Sequence, residues 1–459
     1  MTLPRVFLMT ALAATVASPL MAQQKQAGPP ANDNQTVTFS DAIAMALKQN
    51  VSVKQAENAA QLGDATVKQQ KMQLLPNLQF NVTGAENVGG SLAQSAGAAA
   101  GILNQQTQSL SSGVSTSLTL FDGGKTLSNI RAAEASDDAS SKDLTRAKQT
   151  AVFTVASDFV ALSNQQQQLA VQQENLTAQE AQLDLVQKLV DGGKNPVSDL
   201  YQQQATVASA KLAVAQASSA VELAKVDLIQ ALQLDPAGTY NFVAPTVSAA
   251  DTSAAFNLDS LLAKAYANRA DLGAQESRVD AANQSVKAAA AERLPTISVS
   301  GGYNSAYNSA IDPGILSQLG QRQGGSVGIG VSIPIFDRGA ASLDKQKAQL
   351  DANNAQLTLE SDKQSVALDV RRAYLNEISA KEQLSASAAQ LAAAKQATDM
   401  TEKRYEVGAA TLVDVTQARA QQVSAASAQA TAKNNLVLQQ AVMSYYTGDL
   451  DPARMTLGQ

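Results

Sequence analysis

The residues that could carry chemistry in this 459-residue chain are carboxylates, amines, hydroxyls and amides, because the sequence has no cysteine, histidine or tryptophan. Residues 124–126 (Gly-Lys-Thr) resemble the end of a phosphate-binding loop, but such a loop needs a glycine where Thr119 stands. Asp122 and Asp337 could form a carboxylate pair, yet each lies where a predicted strand meets a predicted helix, and helix capping is the simpler role there. The sequence therefore predicts no catalytic, cofactor-binding or metal-binding site.

The composition excludes several classes of protein. Without cysteine and histidine there are no disulfides, thiolate nucleophiles, Cys/His zinc sites or Ser-His hydrolase arrangements. The 34 Lys+Arg and 40 Asp+Glu give a net charge of −6, so a basic surface for nucleic acid is not expected. Hydrophobic residues make up 45% of the chain but aromatic residues only 4%. This composition argues against an ordinary enzyme and favours long, closely packed helices rich in alanine.

The first 22 residues are typical of an export signal. Arg5 supplies positive charge, an apolar run follows at residues 6–16, and Ala22 is the predicted last residue before cleavage, with Ala17 as an alternative. No run of eighteen apolar residues follows, so the sequence predicts no membrane-spanning helix.

An internal duplication organises the rest of the chain. Residues 193–199 recur at 408–414, and the Leu-Pro and Asp-Pro dipeptides of the first half recur at corresponding positions of the second. We therefore predict two structural repeats at 40–234 and 258–447, each laid out as short helix, strand, loop, strand, long helix, turn and short helix. The remaining segments are an N-terminal linker at 23–39, an inter-repeat segment at 235–257 and a C-terminal segment at 448–459.

Long helices are predicted at 124–190 and 340–405, since neither interior contains proline or glycine. Each would be about 100 Å long. Apolar residues recur every seven positions, which favours a left-handed supercoil; they include Val155, Leu162, Leu169, Leu176, Leu183 and Val190 in the first half and Leu343, Leu350 and Leu357 in the second. Helices of about half that length are predicted at 40–74, 197–232, 258–293 and 412–446.

Four segments alternate apolar and polar residues with period two, near 77–84, 114–121, 296–303 and 326–336. Strands of about ten residues with one apolar face suit a tilted membrane strand, although a half-buried sheet of a soluble protein would show the same alternation. Four strands cannot close a barrel, so we expect the chain to oligomerise, and a trimer would supply twelve strands.

An ordered set of motifs runs through both halves of the chain. The motifs are the Leu-Pro strand entries, Leu-Phe-Asp-Gly-Gly at 120–124, Ile-Pro-Ile-Phe-Asp-Arg-Gly at 333–339, the segment 407–415, and Asn-Arg-Ala-Asp-Leu at 268–272. This ordered set resembles the TolC family of outer-membrane efflux channels. The resemblance implies a mainly α protein whose long coiled helices form a trimeric tunnel through the periplasm. A twelve-stranded barrel in the outer membrane would continue that tunnel.

The resemblance also implies partners: a periplasmic adaptor protein and an inner-membrane transporter, besides two further copies of the chain and outer-membrane lipid. Segments 235–257 and 448–459 would form a belt around the middle of the tunnel, and residues 85–113 and 304–326 would be outward-facing loops. The implied activity is that of a passive exit duct of a tripartite efflux pump. A role as the outer-membrane component of type I protein secretion is the alternative within the family.

Candidate site residues come from the same resemblance. Gly192, Gly193, Val407 and Gly408 lie in the helix-to-helix turns that would meet the adaptor. Tyr405, Asp199 and Ser198 stand where the family latches its periplasmic gate, and Asp414 and Gln417 where residues line the aperture. The family pattern also has an arginine where this chain has Ala410 and a carboxylate where it has Gln417. A thinner latch is expected, resting mainly on Tyr405 and Asp199.

Two other classes of protein fit parts of the pattern. A flagellin-like filament subunit is also helical and rich in Ala, Gln and Ser, but the export signal and the four alternating strands speak against it. An exported hydrolase that uses carboxylates alone, such as a glycosidase, would need aromatic platforms for sugar. The chain offers 9 Phe, 9 Tyr and no Trp for that purpose.

Overall fold

A computed structural model describes residues 35–93, 101–243, 257–311 and 314–450. The predicted signal and the first part of the predicted linker lie outside these residues. The elements in chain order are β1 Gln35–Thr38, α1 Phe39–Gln49, α2 Val51–Met72, β2 Asn77–Ala93, β3 Gly101–Phe121, α3 Lys125–Asp191, α4 Val197–Ala231, β4 Tyr240–Val243, α5 Leu258–Asn268, α6 Ala270–Ala291, β5 Thr296–Asn308, α7 Ile315–Gln321, β6 Gln323–Ser332, α8 Ala340–Glu406 and α9 Leu412–Tyr446.

Two long helices dominate the fold. Helices α3 and α8 have 67 residues each, and the helices that follow them, α4 and α9, have 35 each. Each long helix turns back into its shorter neighbour, so the chain contains two large helical hairpins. Among the described residues, none of the helices has an apolar stretch of the length that spans a membrane.

The two helices that precede the strands are each broken, although the sequence predicted each as continuous. Asn50 ends α1 and caps α2, since its Oδ1 accepts from the backbone N–H of Ser52 at 2.9 Å and of Val53 at 3.3 Å. Arg269 separates α5 from α6 with an extended backbone (φ −69°, ψ 115°). Its buried guanidinium binds the Asp271 carboxylate through two nitrogens. A local side-chain hydrogen bond therefore accompanies each break.

The four longer strands form one antiparallel sheet in the order β2-β3-β5-β6. The strands β2, β3 and β5 extend beyond their predicted ends, so much of the predicted loop 85–113 is a ladder, in which Glu86 pairs with Gln108. The predicted loop 304–326 likewise contains the end of β5, the short helix α7 and the start of β6. The sequence did not predict these extensions, because they lack the alternating large apolar residues that marked the four strands. Strand β6 ends at Ser332 rather than 336, two residues before Pro334, which has no N–H to donate.

A second, two-stranded parallel sheet joins the beginning of the described chain to the segment between the repeats. Strand β1 lies inside the predicted linker 23–39 and pairs with β4 inside the predicted segment 235–257. Phe159 of α3 packs edge-on against Phe39 and Phe242, with ring centroids 5.4 and 6.1 Å apart. This aromatic core holds the middle of α3, α1 and the small sheet together.

The heptad residues of the long helices do not all face the same partner. Val155 and Leu162 are buried, but nearer the tip the buried face of α3 carries Gln179, Gln182 and Val186 instead. On α8 the predicted heptad Leu343, Leu350 and Leu357 remains more than half exposed. Part of the apolar stripe is therefore left without a partner inside a single chain.

Candidate functional site at the helical tips

The tips of the two helical hairpins are built alike. Gly193 and Gly408 have φ of +70° and +73°, which a residue with a Cβ adopts only with strain. The next residue donates its N–H to a carbonyl five residues back: Lys194 to Leu189 at 2.8 Å and Ala409 to Arg404 at 2.7 Å. This is the Schellman end of a helix. Gly192 and Val407, also predicted in these turns, have negative φ of −78° and −94°.

The tips differ at the start of the returning helix. Thr411 caps α9, and the Asp414 carboxylate accepts from the backbone N–H and the hydroxyl of Thr411, both at 2.8 Å. The 215-residue repeat places Pro196 opposite Thr411 and Asp199 opposite Asp414. Pro196 has neither an N–H nor a hydroxyl to offer. The Asp199 carboxylate is consequently available for another partner.

That partner is Asn195, which sequence analysis did not identify. Its Nδ2 donates to Asp199 Oδ2 at 3.2 Å and to the hydroxyl oxygen of Tyr405 at 3.0 Å. The predicted pair of Tyr405 and Asp199 is thus joined through an amide. The repeat offers the signal that could have found it, since Asn195 stands opposite Ala410, the position that lacks the family's arginine.

Tyr405 is only 6% exposed and packs against Val186, Leu412 and Val415. Burial raises the pKa of the phenol, the hydrogen bond from Asn195 lowers it, and the Asp199 charge raises it again. The net pKa is above the ordinary value of 10.0, so the phenol is neutral at neutral pH. Tyr405 therefore joins the second hairpin to the first by packing and by one neutral hydrogen bond.

The other predicted site residues have simpler surroundings. Ser198 and Gln417 are exposed, and within the described residues neither has a side-chain hydrogen bond. Hydrogen bonds from Thr411, together with the charge of Arg404, lower the pKa of Asp414 and keep it ionised. A further link that sequence analysis missed joins α8 to α9 close to the tip, where Arg419 forms an ion pair with Glu402.

The carboxylates at the strand–helix junctions cap helices, as the sequence predicted. Asp122 accepts from the N–H of Gly124 at 3.1 Å and of Thr126 at 2.8 Å. Asp337 accepts from Gly339 at 2.9 Å and Ala341 at 2.8 Å. Both carboxylates are committed to backbone donors. In the described part of the chain no group of three or more Asp or Glu side chains could hold a metal ion.

At the opposite end of the molecule, the sheet has one apolar and one polar face. Leu118, Val299 and Ile329 lie side by side across three strands. Ile297 and Val331 pair in the next row on one side, and Leu78 and Val327 belong to the row on the other side, which also includes Thr116 and Gly301. We call this face the apolar band; its exposed members are Leu78, Phe80, Val82, Val114, Tyr303, Val327, Ile329 and Val331. The other face carries Gln, Asn, Ser and Gly. Alternation of this kind gives a strand one apolar and one aqueous side.

The model of the outer membrane efflux protein family matches residues 42–233 and again residues 261–448. The chain therefore belongs to this family, which is the TolC family that the sequence resembles. The two matched segments also correspond to the two predicted repeats. The outer membrane efflux protein BepC of Brucella suis is 25% identical over 427 residues, which cover 92% of this chain and 86% of BepC.

Solved structures share the fold. CusC has a TM-score of 0.77 at 19% identity, covering 89% of this chain and 92% of CusC. The open state of the MtrE outer membrane channel of Neisseria gonorrhoeae has a TM-score of 0.73 at 21% identity, covering 89% and 88% of the two chains.

The chain is an outer membrane efflux protein and not an enzyme. The predicted fold, a mainly helical protein with a four-stranded sheet and an internal duplication, is confirmed. The filament and hydrolase alternatives are wrong, because the family match spans both repeats.

Proposed function

We propose that this channel is the outer-membrane exit duct of a tripartite efflux pump. It works as a homotrimer that receives its substrate from an inner-membrane transporter through a periplasmic adaptor and conducts it passively to the outside. The observation that carries the proposal is the open four-stranded sheet, whose apolar band is exposed and whose edge strands β2 and β6 pair with no further strand among the described residues.

The open edges argue for assembly with further copies of the same chain. Unpaired backbone donors and acceptors cost several kcal/mol each in lipid, so a membrane sheet must close on itself. Four strands are too few to close, and three chains supply twelve. The exposed stripe of Leu343, Leu350 and Leu357 on α8 supports the same conclusion, since neighbouring copies would cover it.

The hairpin tips lie at the end of the molecule farthest from the sheet, where an adaptor can reach them. The turns at Gly192-Gly193 and Val407-Gly408 are exposed and share one geometry, so three copies would present six equivalent turns. Repeated turns of this kind suit the repeated contacts of an adaptor ring. We propose that these turns form the adaptor-contact surface.

The contact between the hairpins is proposed as the latch of the periplasmic gate. The Tyr405 hydroxyl of the second hairpin accepts a hydrogen bond from Asn195 of the first, and Asn195 also donates to the Asp199 carboxylate. Opening the tip by separating the hairpins would break the bond between Tyr405 and Asn195. Ser198 lies beside this latch, and we propose that Asp414 and Gln417 line the closed aperture.

The mass of the purified protein in detergent tests the assembly. Light scattering with the detergent contribution subtracted is expected to give three times the mature mass. A matched pair of variants locates the contact: Leu350→Asp introduces a charge on the exposed stripe and is expected to lower the trimer yield, whereas Asp351→Asn on the adjacent face is expected to leave it unchanged. A monodisperse monomer for the unmodified protein contradicts the proposal.

A further inference from the structure

Helix α7 lies beyond the end of the β5–β6 ladder that is farther from the long helices, at a level that the β2–β3 ladder passes. Strand β5 begins directly after α6, and β6 ends shortly before α8, so the helical part of the molecule is at one end of these two strands. The last pair of their ladder at the other end is Ser305 with Gln323. Helix α7 spans the connection beyond that pair, at the rim of the apolar band.

Helix α7 is held in place by specific bonds. The Gln318 side chain is 1% exposed, and its Oε1 accepts from the Asn308 N–H at 3.0 Å while its Nε2 donates to the Asn308 carbonyl at 3.0 Å. The same nitrogen also contacts the Ile311 carbonyl, and Oε1 accepts from Arg322 at 3.4 Å. These contacts make α7 a fixed part of the rim.

The contacts also indicate the side of the sheet on which α7 lies. The Ser305 hydroxyl donates to the Leu319 carbonyl at 2.7 Å. Side chains alternate along a strand, so Ser305 projects to the same face as Val299 and Tyr303, which belong to the apolar band. Just below, the Tyr303 hydroxyl bonds to Gln323 Oε1 at 2.6 Å on the same face. Helix α7 therefore continues the apolar band past its edge.

The surface of α7 is apolar where it is most exposed. Leu316 is 85% exposed, and Ile315 and Ile311 are also exposed. Residues 314–323 contain no acidic residue, and their single charge is Arg322. An apolar surface accompanied by a basic residue is typical of segments that lie in a membrane interface.

We propose that α7 is an interfacial anchor that inserts Leu316 and Ile315 into the outer leaflet of the outer membrane, at the boundary between headgroups and acyl chains. Continuity with the apolar band identifies lipid as the occupant, and Arg322 lies at the level of the headgroup phosphates. The proposal rests on the proposed function, in which the apolar band faces lipid. The anchor fixes the height of the duct in the membrane at its outer rim.

The absence of tryptophan from the sequence gives a direct test, because a single introduced tryptophan is the only indole in the protein. Leu316→Trp is placed in vesicles of phosphatidylethanolamine and phosphatidylglycerol whose acyl chains carry bromine either near the headgroup or near the chain end. We expect bromine near the headgroup to quench this tryptophan several-fold more than bromine near the chain end, and acrylamide to quench it weakly. Ile315→Trp is the second variant and is expected to behave alike.

Two control positions separate the possible failures. Ile329→Trp lies inside the apolar band and is expected to be quenched best by the deep bromine, whereas Gln173→Trp on α3 is expected to respond to acrylamide alone. If both α7 variants respond to acrylamide alone while Ile329→Trp responds to lipid, the anchor is overturned and the proposed function stands. If Ile329→Trp is also insensitive to lipid, the orientation of the sheet is wrong, and the proposed function fails with it.

Discussion

Asp158 is a residue whose ionisation works against folding. It lies on α3 between the buried Val155 and Phe159, and burial together with the charge of Asp227 on α4 raises its pKa from 3.8 to about 6. Because the folded protein holds the proton more tightly than the unfolded chain, ionising Asp158 destabilises the fold. This cost is absent below pH 3.8, grows through the interval up to about 6, and is complete above it.

We therefore predict that Asp158→Asn stabilises the folded protein against unfolding at about pH 8 and has little effect at about pH 4. The shift from 3.8 to about 6 corresponds to about 3 kcal/mol, which partial exposure reduces to roughly 1–2 kcal/mol. The unfolding temperature of the protein at the two pH values measures the effect. Asp227→Asn is the comparison, and a smaller gain is expected from it. An equal gain at both pH values would show that the titration of Asp158 is not the cause.

At the level of single residues, the candidate site was only partly predictable. The duplication and the family resemblance pointed to Tyr405 and Asp199, but not to Asn195 between them. Amide side chains are abundant on the solvent-exposed faces of these helices, so nothing in the sequence distinguishes Asn195 from the other asparagines and glutamines. The capping box of Thr411 with Asp414 could have been predicted from its sequence pattern. Comparison with Pro196 then explains why Asp199 is free for another role.

At the scale of elements, the two hairpins differ inside although they arose by duplication. Between α3 and α4 lies a glutamine layer of Gln179, Gln182 and Gln203. Gln203 is fully buried, and its Nε2 donates to the Gln179 carbonyl at 3.0 Å and side-chain oxygen at 2.8 Å. Gln203 Oε1 and Gln182 Nε2 have no partner in the described part of the chain. The repeat places Ala394, Ala397 and Ala418 at the same positions of the second hairpin.

Gln203→Ala is expected to destabilise the first hairpin, because it removes both bonds to Gln179 and leaves a buried acceptor unpaired. The cost of such a group is about 1–3 kcal/mol. The double variant Gln179→Ala/Gln203→Ala should cost less than the sum of the single changes, since no polar partner is left behind. Hydrogen exchange of the α4 amides measures the local opening, and Gln202→Ala on the exposed face is the control. Additive effects would contradict a coupled glutamine layer.

Variants of the tip turns test adaptor binding and separate the effect of backbone conformation from the effect of the side chain at the contact surface. Gly408→Leu imposes strain of about 1–2 kcal/mol at a positive φ, but a Cβ at this position meets no atom of the described residues within 4 Å. We expect weaker adaptor association in a pull-down and an unchanged trimer yield. Gly408→Asn, which tolerates the left-handed conformation, is the control and should bind more nearly normally. Loss of the trimer together with adaptor binding would show that the turn is structural only.

The sequence predicted secondary structure best where the apolar pattern is long and periodic, as it is in α3 and α8. The two 67-residue helices begin and end within one residue of the predicted bounds. The breaks at Asn50 and Arg269 escaped prediction because one polar residue interrupts an otherwise helical pattern. The outer parts of β2 and β3 also escaped, since Ser, Gln and Asn there pair through the backbone without an apolar alternation.

At the scale of the whole molecule, the single chain is an incomplete object. Among the described residues its sheet has two open edges, its apolar stripe on α8 is exposed, and its two hairpins contact each other at the tip. The proposed trimer explains each feature, because three copies would close a barrel at one end of the molecule and a gate at the other. Such a duct agrees with the membership of the chain in the outer membrane efflux protein family.

Single-channel conductance of the purified protein in planar bilayers tests the gated duct most directly. Asn195→Ala removes the hydrogen bond to Tyr405 that joins the two hairpins, besides the bond to Asp199 within the first hairpin. A neutral hydrogen bond contributes about 0.5–1.5 kcal/mol, which is roughly two- to tenfold in the opening equilibrium. We predict a small conductance for the unmodified protein, a severalfold larger one for Asn195→Ala and for Tyr405→Phe, and little further increase in the double variant. Ser198→Ala is the matched control and should conduct as the unmodified protein does. Equal conductance of all these proteins, or the absence of any channel, would contradict the account.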